Sequence, residues 1–245
     1  MKTRFVLIET SHAGNVGAVA RAMKVMGFED LVLVRPRWPD VLSREEAIER
    51  ASGADDVLSK ARVVDHLAEA LEGIDHVCAT AMTPRDFGPP TRAPRAHFDD
   101  LLGATGAAPA GVAFLMGSER FGMRNADVYA AHACLSIPTN PAYGSLNLAA
   151  AVQLLAYEWR QALGGFEVQS RTERSEAADA LAVQGMLEHL EQALVHMGYL
   201  DASAPKKLMP RLHQMFNRAG VTTEEVHIWR GVAKAVLHLE PRRQG

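Results

Sequence analysis

The sequence predicts an α/β protein, a parallel sheet flanked by helices, followed by a small all-helical module. Three observations predict it. The runs Leu31-Val32-Leu33-Val34 and Gly111-Val112-Ala113-Phe114-Leu115-Met116 are apolar without alternation, as strands buried on both faces are. Segments with apolar residues at helical spacing separate such runs, which is the rhythm of βαβ units. After Glu176 the strand signal stops and only helical spacing remains.

Taken in order, Arg4-Phe5-Val6-Leu7-Ile8-Glu9 reads as the first strand. The polar turn Thr10 to Asn15 leads into a helix with Val16, Val19, Ala20, Met23 and Met26 on one face, ended by Gly27. Leu31–Val34 is the second strand. Ser43, with Glu46 three residues on, has capping-box spacing and is expected to open the next helix. Val63-Val64 and a short helix from His66 to Leu71 precede a strand over Ile74–Thr80. Residues 82–96, rich in Pro and Arg and without periodicity, are expected to be loop. Gly111–Met116 and Ala133–Ile137 complete the sheet. A long helix then runs from about Leu146 to Leu163, with Ser145 as N-cap and Gly164-Gly165 as the stop.

The tail is expected to hold three helices. The first carries Leu181, Met186, Leu187, Leu190 and Leu194; the second, opened by Pro205, carries Leu208, Leu212, Met215 and Phe216. The third follows Thr222, with Glu225 at capping-box spacing, and carries Val226, Trp229, Val232, Ala233, Val236 and Leu237. The expected organisation is a domain over 1–163, a polar linker over 164–175 and a helical module over 176–245.

Composition narrows the function. A chain of 245 residues, 48% apolar, can bury a substantial core, yet no apolar run is long enough to span a bilayer. The N-terminus enters a strand at once and lacks the regions of a signal peptide, so a cytoplasmic location with no membrane partner is expected. Cys78 and Cys134 sit in apolar strand-like runs and read as small buried hydrophobes. Ten histidines are scattered without metal-ligand spacing, and no metal is expected. With a net charge of −3, nucleic-acid binding has to rest on local patches; Lys206, Lys207, Arg211, Arg218, Arg230 and Lys234 in the tail form a candidate one.

Three segments carry chemistry. Ile137-Pro138-Thr139-Asn140-Pro141-Ala142-Tyr143-Gly144-Ser145-Leu146-Asn147 is a rigid loop entering a helix, presenting backbone N–H groups, a hydroxyl and an amide to one small volume. Asn15 sits at the entrance of the first helix, where it can cap or touch a ligand, and Arg21 lies about two turns further on. Met116-Gly117-Ser118-Glu119-Arg120-Phe121-Gly122 puts a charged pair between two glycines directly after a buried strand. Each alone fits an ordinary connection. Together with Thr80-Ala81-Met82, however, they all follow strands and open on one edge of a parallel sheet, where ligands bind. The segments match neither a dinucleotide fingerprint nor a nucleophile elbow, which argues against an oxidoreductase or a serine hydrolase.

These segments resemble, in order, the three signature motifs of the SPOUT (α/β-knot) methyltransferases: Asn15 to Arg21, Met116 to Gly122, and Ile137 to Ala149. The likeness is nearest to the bacterial tRNA (cytidine/uridine-2′-O)-methyltransferases. It runs from residue 4 to about 160 and more loosely to about 240. The resemblance implies a trefoil knot at the C-terminal end of the sheet domain, S-adenosyl-L-methionine (SAM) as cofactor, a homodimer with the site at its interface, and tRNA as partner. It implies a cofactor pocket of Thr80, Ala81, Met82, Gly117, Ile137, Gly144, Ser145 and Leu146, and a catalytic set of Arg21, Asn15, Glu119, Ser145 and Asn147. Where relatives usually carry Thr-Ser-Ala-Arg, this chain has Thr80-Ala81-Met82-Thr83-Pro84-Arg85. Arg21 is expected to stabilise the ribose alkoxide, since a guanidinium is a poor base, with Glu119 and Asn15 orienting it. Ser145 or Asn147 is expected to hold the ribose. The implied target is an anticodon-loop pyrimidine at position 32. The alternatives are a ribosomal RNA ribose methyltransferase of the same fold and a non-catalytic RNA-binding knot protein.

Overall fold

The computed structural model describes residues 1–80, 86–103, 108–168, 176–204 and 206–240. The chain divides into two compact units, Met1–Glu167 and Val168–Gly245.

In the first unit, seven strands form one sheet: β1 (Lys2–Ile8), β2 (Asp30–Val34), β3 (Arg62–Val64), β4 (His76–Thr80), β5 (Thr91–Arg92), β6 (Gly111–Met116) and β7 (Ala133–Leu135). Their order is β3-β2-β1-β6-β4-β7-β5, and every pairing is parallel. Register aligns Phe5 with Leu31 and Phe114, and Val6 with Val32 and Leu115. Alternate residues therefore enter opposite cores. Phe5, Leu7, Leu31, Leu33 and Phe114 pack beneath α1 (Ala13–Val25), α2 (Glu45–Ala51), α3 (Asp55–Lys60), α5 (Pro94–Gly103) and α7 (Leu148–Ala162). Val6, Ile8, Val32, Val34 and Leu115 pack beneath α4 (Leu67–Ala70) and α6 (Asn125–Tyr129). A sheet with two buried faces needs apolar side chains on both, which is why these runs do not alternate.

Two contacts set the helices that matter for the site. Trp159 of α7 is fully buried, edge-on to Phe98 at 5.0 Å and to Phe114 at 5.8 Å, and its Nε1 donates to Thr3 Oγ1 at 2.9 Å. A buried indole needs such a partner for its N–H. At Gly17 of α1 a β-carbon would overlap the Ala47 carbonyl of α2, so the two helices meet backbone to backbone.

Several expectations are corrected. Ser43 does not cap α2. It lies in a 3-10 turn, Val41–Ser43, where its hydroxyl donates to the Asp40 carbonyl at 3.0 Å, and Arg44 takes the N-cap position without a side-chain bond. Residues 82–96 are not loop throughout: β5 pairs with β7, and α5 starts at Pro94. Proline suits the first turn of a helix, where its missing N–H goes unused. The helix was hidden because only Pro94, His97 and Phe98 along it are buried, too few to show helical spacing. Helices α3 and α6 are also too short to show periodicity. Ser145 is not the N-cap of α7; Asn147 is, its Oδ1 accepting from Ala149 N at 2.9 Å.

In the second unit, α8 (Ala180–His196), α9 (Leu208–Ala219) and α10 (Thr223–Leu237) close over Met186, Leu187, Leu190, Phe216, Val221 and Val226. Thr222 and Glu225 form the expected capping box, with Thr222 N donating to Glu225 Oε2 at 2.7 Å and Glu225 N to Thr222 Oγ1 at 3.3 Å. Leu181, Met215 and Val232 are exposed, because a bundle this small buries only the inner stripe of each helix. Pro205 lies outside the described residues. Among the described residues no helix is long and apolar enough to cross a membrane.

Candidate active site

The parallel sheet brings the C-terminal end of β4 and the turns after β1, β6 and β7 to one edge. They surround a cavity of about 630 Å³ whose lining includes His12, Asn15, Thr80, Met116, Gly117, Glu119, Ser145, Leu146 and Asn147. An adjoining hollow of about 130 Å³ shares Thr80, Leu146 and Ala151 with it and adds Leu135, Ile137, Thr139 and Gly144.

Glu119 organises this edge. Its Oε1 accepts from Thr10 Oγ1 at 3.0 Å and from Asn15 Nδ2 at 2.8 Å; its Oε2 accepts from Ser11 N at 2.9 Å and Ser11 Oγ at 2.8 Å. Burial by itself raises its pKa. The donors outweigh burial, Asn15 foremost, and hold the carboxyl at about 2. Glu119 is therefore a fixed anion and a weak proton acceptor near neutral pH.

The network extends through amides. Asn15 Oδ1 accepts from Asn147 Nδ2 at 3.3 Å, and Asn147 Oδ1 holds the first turn of α7. Glu119, Asn15 and Asn147 thus join the turn after β6, the start of α1 and the start of α7. Asn15 is not a cap: the N-cap of α1 is His12, with no side-chain bond. At the end of β1, Glu9 adopts φ 53°, a left-handed conformation uncommon outside glycine, and turns the chain toward Thr10 and Ser11. Its carboxylate pairs with Arg124 Nη2 at 2.6 Å and more loosely with Arg35 at 3.4 Å.

Gly117 and Thr80 hold the floor. A β-carbon on Gly117 would lie 2.5 Å from Met123 N and 2.7 Å from the Gly122 carbonyl oxygen, so the turn closes only around glycine. Thr80 Oγ1 donates to the Leu115 carbonyl at 2.8 Å, pinning the end of β4 to β6.

Of the residues expected at the site, Asn15, Thr80, Gly117, Glu119, Ser145, Leu146 and Asn147 line the cavity, while Ile137 and Gly144 line the adjoining hollow. Ala81 and Met82, with Arg85, lie outside the described residues. Arg21 is not brought in. It is exposed on α1, is not among the cavity-lining residues, and is not among the residues bonded to Glu119 or Asn15, so the expectation that those two orient it fails within this chain. Sequence reasoning assigned no role to Thr10 and Ser11, the hydroxyl pair that completes the Glu119 anchor. Their position in a polar turn directly after a buried strand was the only signal.

Residues 2–157, the stretch that builds this parallel sheet and its cavity, match the SpoU rRNA Methylase family, and the chain belongs to that family. Its second unit, over residues 181–245, matches the C-terminal domain of tRNA methyltransferase TrmJ. Relatives over the full length carry the same name. The tRNA (cytidine/uridine-2′-O-)-methyltransferase TrmJ of Yersinia pestis (strain Pestoides F) is 40% identical over 95% of this chain and 90% of that protein. The tRNA (cytidine/uridine/adenosine-2′-O-)-methyltransferase TrmJ of Pseudomonas aeruginosa (strain UCBPP-PA14) is 39% identical, with 94% and 92% covered. The crystal structure of TrmJ from Z. mobilis ZM4 is similar with a TM-score of 0.78 at 32% identity, covering 97% of this chain and all of that one.

Proposed function

We propose that the chain is a SAM-dependent methyltransferase acting on the 2′-hydroxyl of a tRNA ribose, the pyrimidine at anticodon-loop position 32, and that it works as a cytoplasmic homodimer. The observation that carries this reading is the Glu119–Asn15–Asn147 connection, which holds the three motif segments around one cavity. The match of the second unit to a tRNA methyltransferase domain favours tRNA over ribosomal RNA.

The residues present suit the cofactor. A cavity of this size is in the range of cofactor pockets, and Met116, Leu146 and the adjoining Leu135 and Ile137 offer apolar walls beside polar edges. Gly117, Ile137, Gly144, Ser145 and Leu146, with Thr80 and the following Ala81 and Met82, would hold it. When bound it supplies an electrophilic sulfonium methyl group. The return of the chain from β7 through 136–147 into α7 is the part we assign to the knot.

The chain's own residues then orient the acceptor. Ser145 and Asn147 stand at the cavity with polar groups for a ribose. Ionised Glu119 keeps Asn15 turned toward Asn147 and so fixes the mouth of the site. Arg21, exposed and outside its own cavity, serves the cavity of the other copy, where its guanidinium stabilises the alkoxide and the adjacent phosphate. In the second unit Lys206, Lys207, Arg211, Arg218, Arg230 and Lys234 are all exposed and have no ion-pair partner among the described residues, as groups that bind RNA phosphates would be.

The test is a tRNA carrying a single 2′-deoxy nucleotide at position 32. It should bind, since its phosphates are intact, and accept no methyl group; exchanging C for U there should retain activity. Methylation of the deoxy tRNA would refute ribose chemistry, and methylation at another position would refute the assignment of the target.

A further inference from the structure

Away from the cavity, one cluster of ligand-type side chains among the described residues has no part in the proposed reaction. His76 and Cys78 are two residues apart on β4 and so share a face of the sheet. Helix α5 covers that face with His97. His97 Nε2 lies 3.1 Å from His76 Nε2 and 3.6 Å from Cys78 Sγ, and the three ligand atoms all fall within 4.8 Å of one another. For tetrahedral zinc, with bonds of about 2.0–2.1 Å to nitrogen and about 2.3 Å to sulfur, the N–N edge is about 3.3 Å and the N–S edge about 3.5 Å. We propose that His76, Cys78 and His97 form a binding site for a thiophilic divalent transition metal, zinc first among them, with water in the fourth position.

The chemistry of the three groups agrees with this. Metal ligation needs neutral imidazole, and burial pushes His76 down to about 4; His97 is also lowered, by burial and then by Arg92. His97 Nδ1 is buried without a hydrogen-bond partner among the described residues, so nothing at that end of the ring commits Nε2 to carrying the proton. Burial pushes the Cys78 thiol up to about 12, so a bound metal must displace its proton. The other groups facing the cluster are His132, stacked on His76 at 5.0 Å, and the charges of Asp75, Arg92 and Asp100. His76 is only half-buried and gives the ion and its water a way in. A metal here would tie α5 to the strand that ends at Thr80 in the cavity. Without metal, the same contact is an imidazole–imidazole hydrogen bond.

The full-length protein, stripped with a chelator, should take up one Co(II) per chain with the thiolate-to-metal absorption of a tetrahedral site, and Zn(II) should displace it. Zn(II) uptake near pH 7 should release about one proton per ion, from the thiol. Cys78→Ser should abolish the thiolate absorption and weaken Co(II) uptake by roughly a hundredfold or more. His227→Ala, at an exposed histidine of the second unit, should change neither. If Cys78→Ser does not fold, the stoichiometry, absorption and proton release of the wild-type protein decide. No uptake by the wild type, thiolate absorption that survives Cys78→Ser, or loss of binding in His227→Ala would each overturn the proposal.

Discussion

Glu119→Gln tests the Glu119 anchor with a change of one atom. The amide oxygen can keep both Ser11 bonds, and the new NH₂ then faces Thr10 Oγ1 and Asn15 Nδ2. The Thr10 hydroxyl can turn and accept. Asn15 Nδ2 cannot, so Asn15 either loses its bond or flips its amide and sets NH₂ against Asn147 Nδ2. One charge-assisted bond is worth about 1.5–3 kcal/mol; because Glu119 is part exposed, solvent screening reduces the expected loss to about 1–2 kcal/mol. With a urea m-value of about 2 kcal/mol/M, the midpoint should fall by about 0.5–1 M at pH 7. The folded-state pKa is lowered from 4.5 to about 2, so this stability is fully present above about pH 4.5 and is lost as pH falls toward 2. The gap between wild type and variant should therefore narrow between pH 4.5 and 2. Urea unfolding followed by near-UV circular dichroism at pH 7 and pH 3 measures it. An equal gap at both pH values, or none at pH 7, would refute the reading of Glu119 as an ionised organiser.

Arg21→Ala should abolish methyl transfer while leaving SAM affinity nearly unchanged. Mixed with the cavity-blocked Gly117→Leu, it should recover up to about a quarter of wild-type sites, one in each mixed dimer; no recovery would return Arg21 to its own chain's cavity. Gly17→Ala forces a methyl group into the Ala47 carbonyl and should cost about 1–3 kcal/mol, lowering the melting temperature by about 2–12 °C; an unchanged melting temperature would mean that α1 and α2 are less closely packed. A fragment ending at Glu167 should bind SAM like the full chain but bind tRNA more weakly, with a shallower salt dependence, as filter binding across a salt series would show. Unchanged tRNA affinity would leave the six basic side chains of the second unit as ordinary solvated surface.

What the sequence by itself determined is what neighbours along the chain encode. Continuous apolar runs marked β1, β2 and β6, since burial on both faces leaves no other composition. Helical spacing marked α1, α7, α8 and α10, and the Thr222 capping box was legible because both partners lie three residues apart. Glycines at φ 104° and 69° ended α7 where Gly164 and Gly165 predict it. Only the tertiary structure decided the rest. Ser145 and Asn147 are both good N-caps on local grounds; the choice fell to Asn147, whose amide also meets Asn15, 132 residues away. Glu119 had no visible partner in its own segment, because Asn15 reaches it from 104 residues away. The pairing of His97 with His76 waited on a helix with too few buried residues to announce itself. Local spacing carries periodicity and caps, whereas a hydrogen bond between distant side chains exists only once the strand order has set which loops share an edge.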